Sequence, residues 1–175
     1  MQHSGAVPEQ RAAHMRPWLL LLLLTVPSAG VARTDRAFYE AFIQGGIAEI
    51  DAANLALQKS SNAMVKEFAA MMIKDHTPEN VSVKALAASN RTPLPTLASA
   101  ADRAVVVKLT SLSGRIFDQF YIRSQIYAHE QLLDLVNAEA TSGKDAKAKA
   151  FAAEILPTVQ SHLKMIRVLA ASEGV

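Results

Sequence analysis

The chain has 175 residues, enough for one domain with a sizeable core plus an N-terminal extension, and its formal net charge of +2 carries neither a nucleic-acid footprint nor an acidic tail. It contains no cysteine, which excludes disulfides, thiolate metal sites, a cysteine nucleophile and a lipid-modified N-terminal cysteine. Ala and Leu dominate and only seven Gly and seven Pro interrupt them, a composition that points to helix.

Residues 1–32 read as a signal peptide. Arg11, His14 and Arg16 precede an apolar run from Trp18 to Val26; Pro27 breaks it, and Gly30-Val31-Ala32 supplies the small residues a signal peptidase reads. The run is too short to span a bilayer comfortably, so no stable membrane span is expected once it is cleaved. Cleavage after Ala29, a start at Met15 and an uncleaved anchor are the competing readings. Losing Arg11, Arg16 and Glu9 with this segment leaves a net charge of +1. Export of a cysteine-free chain suits a bacterial periplasm or the cell exterior.

The first long helix is expected from about Thr34 to Gln58, capped by Thr34 or Asp35. Phe38, Tyr39, Phe42, Ile43, Ile50, Ala53 and Leu57 line its apolar face, and Glu49 falls inside that arc. Gly45-Gly46 costs the helix about 1 kcal/mol per glycine relative to alanine, which favours close approach of a neighbouring helix over space filling. After the Ser60-Ser61-Asn62 turn, a second helix runs to about Ser89 with Met64, Val65, Phe68, Met71, Met72, Val83 and Leu86 as its stripe. Asp75 and Glu79 point into that stripe, His76 sits at its edge, and Pro78 predicts a bend. Asn80-Val81-Ser82 and Asn90-Arg91-Thr92 match the glycosylation sequon by chance, Asn80 being mid-helix.

Asn90 to Pro95 is a loop, and Leu97 to Leu112 a short connecting helix with Val105, Val106 and Leu109 apolar. The next long helix contains FDQFYIRSQIYAHEQLLDLV, residues 117–136, and extends to about Ala140. Phe117, Tyr121, Ile122, Ile126, Leu132, Leu133 and Val136 form its apolar half, yet Asp118, Gln125 and His129 project into the middle of it. Buried polar groups there need partners. Gly143 ends this helix, and Asp145 caps a last one running to about Ala171. Phe151, Ile155, Val159, Leu163, Ile166 and Leu169 form its buried face, His162 lies within that face, and Pro157 predicts a second bend. Four long amphipathic helices with two short turns and one long connection describe an all-α four-helix bundle over residues 33–175. Helix direction after the long connection stays open.

These motifs carry a resemblance. GGIAEI at 45–50, Asp75-His76-Thr77, LSG-x-x-FD-x-x-Y at 112–121, His129, SGKD at 142–145 and FA-x-x-x-LP with His162 resemble an exported bacterial family. That family is a ferritin-like domain of unknown function, often labelled a predicted outer membrane protein. The resemblance covers about Phe38 to Leu169 and implies a ferritin-like bundle and export, but supplies no activity. The outer-membrane label lacks alternating strands or a lipidated cysteine to support it.

Glu49, Asp75, Gln125, His129 and His162 each fall near the middle of their helices, within about 8 Å along the bundle axis. Two readings of this polar layer follow. In one, Glu49, Asp75, Glu79, His129 and His162 hold a divalent transition-metal ion, with His76, Asp118, Tyr121 and Gln125 behind them. No Glu-x-x-His occurs in the chain, which argues against a ferritin-type di-iron oxidase. In the other, the groups satisfy one another and the protein is a structural or interaction module of the cell envelope, with an envelope protein or a second copy as partner. Acid–base catalysis is a third, weaker option: no Ser-His-Asp spacing, phosphate loop or dinucleotide fingerprint nominates a reaction, and access would depend on bends at Pro78 and Pro157. Tyr127 is the one aromatic expected on the outer face of the 117–136 helix.

Overall fold

The computed structural model describes residues 35–175; the expected signal peptide and the Thr34 cap lie outside the described residues. Local capping chemistry sets the helix starts. The Asn62 side chain accepts from the Met64 and Val65 amides, the Ser99 hydroxyl from the Asp102 amide, and the Asp145 carboxylate from the Lys147 amide. The helices so bounded are α1 Asp35–Lys59, α2 Ala63–Ser89, α3 Ala100–Thr110, α4 Gly114–Ser142 and α5 Ala146–Glu173. No strand occurs among the described residues. Both α2 and α5 continue through their prolines, Pro78 and Pro157. α5 stops where Gly174 turns left-handed, at φ 65°.

Contacts at the two ends of the bundle fix the helix directions. At one end the Asn62 amide donates to Glu173 (2.6 Å), so α2 begins where α5 finishes. There too Lys59, at the end of α1, donates to the carbonyls of Leu109 and Thr110 and lies over the Phe117 ring near the start of α4. At the other end Tyr39 of α1 donates to Asp145 (2.5 Å) and accepts from Asn90, the residue that ends α2. Thus α2 and α4 run one way and α1 and α5 the other, and the connection from α2 to α4 returns along the bundle through α3. α1 packs on α2 and α4, and α5 on α4 and α2. A four-helix bundle with one long crossover is the ferritin-like arrangement.

The core has two apolar halves. Val65, Phe68, Met72, Leu109, Phe117, Tyr121, Ile122, Leu163 and Ile166 fill one, while Phe38, Tyr39, Phe42, Val83, Val136, Ile155 and Val159 fill the other. Between them in sequence, on α1, α2, α4 and α5, come Glu49, His76, His129 and His162, all buried. Several side chains expected in the core sit at its margin instead. Ile50, Leu57, Met71, Leu86, Ile126, Leu132, Leu133 and Phe151 are half-buried, and Met64 is exposed. On α1 the small residues Ala48, Ala52, Ala53 and Ala56 are buried instead, so the buried face is turned relative to the apolar count. Of α3 only Leu109 is buried.

Candidate metal centre

α2 delivers the side chain that the sequence pattern placed at a margin. Val65, Phe68, Met72, His76, Asn80, Val83 and Ala87 recur at helical spacing and are all buried, so His76 is central and Asp75 and Glu79 flank it. The phase is ambiguous in sequence because Met71 and Met72 are both apolar, and a stripe drawn through Met71 leads to Asp75 instead.

His76, His129 and His162 are exposed by only 1%, 0% and 2%. They come from α2, α4 and α5, and one candidate ligand nitrogen from each lies within 4.8 Å of those of the other two. Their rings meet edge to face, with centroids 5.5–5.9 Å apart. Hydrogen bonds set the tautomers. A carbonyl oxygen only accepts, so His129 Nδ1–H donates to the Gln125 carbonyl (2.9 Å), leaving its Nε2 as a lone pair with no partner. His162 Nε2–H donates to Asp75 (3.0 Å), leaving Nδ1 likewise unpaired. His76 Nδ1 pairs with the Glu79 carboxylate at 3.1 Å, and its Nε2 has no hydrogen-bond partner. A ring held by a carboxylate or carbonyl on one nitrogen and free on the other is the usual posture of an imidazole ligand.

The electrostatics keep two of the three rings neutral. Burial, with repulsion from His76 and His162, lowers His129 to about 3 despite its bond to Gln125. Burial also lowers His162, against the pull of Asp75. Burial would lower His76 too, but Glu79, Glu49 and Asp75 reverse the sign and raise it. Glu49 rises to about 7 because it is buried, with His76 and the Gln125 amide opposing the rise.

Of the residues expected at a metal, the structure gathers His129 and His162 and adds His76. Asp75 and Glu79 stand behind His162 and His76. Glu49 lines a cavity of about 40 Å³ with His76 and His129. Gln125 orients His129 through its carbonyl, and its amide reaches Glu49. Tyr121 is buried with its hydroxyl unpaired and feels the charge of Glu49. Asp118 is buried as well, but eleven residues before His129 on α4 puts it about 16 Å away along the axis, outside the layer. Asn80, also buried, packs against Gly46 and is no surface glycosylation site. Tyr127 is exposed, as expected. A larger hollow of about 490 Å³ lies on the α4–α5 face beside Leu133, Lys164 and Val168 and includes none of these site residues.

Three neutral-capable imidazoles suit zinc, copper, iron or nickel. Zinc–nitrogen bonds of about 2.0–2.1 Å would need the nitrogens about 3.4 Å apart, inside the 4.8 Å within which the three candidate ligand atoms lie here.

Residues 24–169 match the family model described as a domain of unknown function, DUF4142. A search of curated proteins gave no match. Among solved structures, the chain is similar to a DUF305 protein from Streptomyces coelicolor described as secreted, with 12% identity, TM-score 0.70, and 82% of this chain and 96% of that one covered. It is also similar to a DUF305 fragment from Deinococcus radiodurans, at 14% identity and TM-score 0.70, covering 79% and 95%. A third is CopM in its Cu(I)-bound form, at 21% identity and TM-score 0.67, covering 79% and 96%; CopM was also solved with Cu(II) and with Ag. At such identities the likeness establishes the helical-bundle fold alone.

Proposed function

The chain belongs to the DUF4142 family of helical domains of unknown function, and we propose that it is an exported protein binding one divalent or soft transition-metal ion through His76, His129 and His162. The observation that carries this reading is the convergence of three imidazoles from three different helices in a buried layer, each with a ring nitrogen that has no hydrogen-bond partner. A self-satisfied network would pair those nitrogens with one another's donors. Here the bonds to Gln125 and Asp75 instead leave the second nitrogen of the His129 and His162 rings without a partner. The copper-bound and silver-bound forms of CopM, which has a similar fold, are in keeping with it.

The residues divide the work. His129 and His162 offer lone pairs of settled tautomer, His76 completes the set, and Asp75 and Glu79 hold two of the rings from behind. Glu49 adds a carboxylate beside the site without belonging to the three-histidine group. A bound ion would supply Lewis acidity or, for copper or iron, one-electron chemistry; nothing in the residues nominates a substrate. Export rests on the N-terminal sequence and on the similarity to a protein described as secreted. No described helix is long and apolar enough to cross a membrane.

The test is elemental analysis of untagged protein purified without chelator, beside a His76→Phe, His129→Phe double variant of similar bulk. The expected result is about one metal per chain, lost in the variant. Metal-free protein that stays folded and gains no thermal stability from zinc, copper, iron or manganese would overturn the reading. In that case the buried layer serves as a structural network of an envelope module.

A further inference from the structure

The cavity of about 40 Å³ beside the histidines is more than a packing defect. Its inner wall is Glu49, His76 and His129, all buried, while its outer wall includes Gly45, Ala128 and Leu132, each partly exposed. The space therefore leads from the seam between α1 and α4 to two of the three imidazoles, His76 and His129. Two features keep it open. A Cβ on Gly45 would meet nothing within 4 Å, and the facing position on α4 is only an alanine. The volume exceeds the roughly 10–15 Å³ that a single water needs and is far below what an organic substrate needs. Glu49, whose buried Oε2 has no hydrogen-bond partner, lines it and is suited to receive or orient a polar guest.

The geometry points to an open coordination position at the three-histidine centre, reached through the Gly45–Ala128 notch and taking a small exogenous ligand of one to three heavy atoms, such as water, hydroxide, a diatomic molecule or azide. This rests on the metal reading above. Three protein ligands with a free fourth position distinguish a reactive or exchanging metal site from a closed structural one. The passage enters between α1 and α4, so access does not depend on bends at Pro78 and Pro157.

The experiment loads the full chain with Cu(II), confirms stoichiometry by elemental analysis, and titrates azide while recording the visible charge-transfer spectrum. The parent is expected to give a saturable azide band. Gly45→Leu, which fills the notch from α1, and Ala128→Leu, which fills it from α4, are expected to retain Cu(II) and weaken azide binding by about tenfold or more. Circular dichroism identifies a variant that has lost its fold, and the other variant then decides. Copper-loaded parent without an azide band, or undiminished azide binding in a folded, loaded variant, overturns the open position. Failure to take up Cu(II), zinc or any other of these metals overturns the metal reading itself and the passage with it.

Discussion

At the scale of single residues, His129 shows how the fold sets ionisation. Phe68, His76 and His162 pack around it, the Gln125 carbonyl takes its one N–H, and Glu49 borders the same cavity. Its pKa falls to about 3 from 6.5. Between those values the unfolded chain binds a proton that the metal-free folded chain does not. Its contribution to stability is therefore complete above about pH 6.5 and is lost as pH falls towards 3. Glu49 has the opposite sign. Raised from 4.5 to about 7, it contributes below about pH 4.5 and loses that contribution as pH rises through 7. His76, also raised, loses its share as pH rises. Metal-free His129→Leu should accordingly lose less stability than the parent between pH 7 and pH 4 in urea titrations, whereas Glu49→Gln should lessen the decline on going alkaline. Equal acid slopes for parent and His129→Leu would mean that the imidazole ionises within the fold. That His129 is buried and polar was readable from its place in an apolar arc. That His76 shares its layer was not, because the Met71-Met72 pair lets the stripe be drawn in two phases.

At the scale of elements, adjacent glycines have opposite tasks. A Cβ on Gly46 would lie 2.1 Å from the buried Asn80 side chain of α2, whereas one on Gly45 meets nothing. Gly46→Ala should cost about 1–3 kcal/mol through overpacking, and Gly45→Ala should stabilise by about 0.5–1 kcal/mol through helix propensity. Denaturant midpoints of the two variants moving the same way would contradict this account. The expected close helix approach is thus real but belongs to one glycine of the pair. Gly143 is needed for a different reason from a left-handed turn: its φ is −58°, and a Cβ there would strike the Glu139 carboxyl and its own helix's carbonyl. Glu139 escaped notice in the sequence because it sits in a polar run near the end of α4. Burial, with the nearby Asp35 and Asp145 carboxylates, raises it to about 7. Protonated, it tolerates Asp35, which accepts from the Lys144 and Asp145 amides and ties α1 to the α4–α5 turn. A raised carboxyl contributes below about pH 4.5 and less as pH passes 7. Amide exchange of Lys144 and Asp145, corrected for its intrinsic pH dependence, should quicken above pH 7 and stay flat in Glu139→Gln.

At the scale of the whole molecule, the histidine layer lies where α2, α4 and α5 meet, so a bound ion would cross-link three of the four long helices. An ion at a hundred times its dissociation constant would add about 2.7 kcal/mol, or roughly 8 °C in Tm for a domain of this size. Zinc or copper titrations followed by calorimetry check this, and the gain should vanish in the His76→Phe, His129→Phe variant. The sequence by itself determined that the chain is helical, that four long amphipathic segments form a bundle, that turns capped by Asn62 and Asp145 precede α2 and α5, and that polar groups enter the core at mid-height, whereas the connecting helix expected from Leu97 to Leu112 is the shorter Ala100–Thr110 with Ser99 as its cap. Those properties are local: periodicity, capping and breaker residues act within a few turns. Only the tertiary structure decided that α4 runs parallel to α2, that His76 is central, that Asp75 and Glu79 stand behind the rings, and that a passage opens beside Gly45. Each depends on the rotation of one helix against another. A rotation of α2 by one residue, 100°, exchanges the buried His76 imidazole for the flanking Asp75 carboxylate, and the adjacent Met71 and Met72 leave that choice open in the middle of the helix.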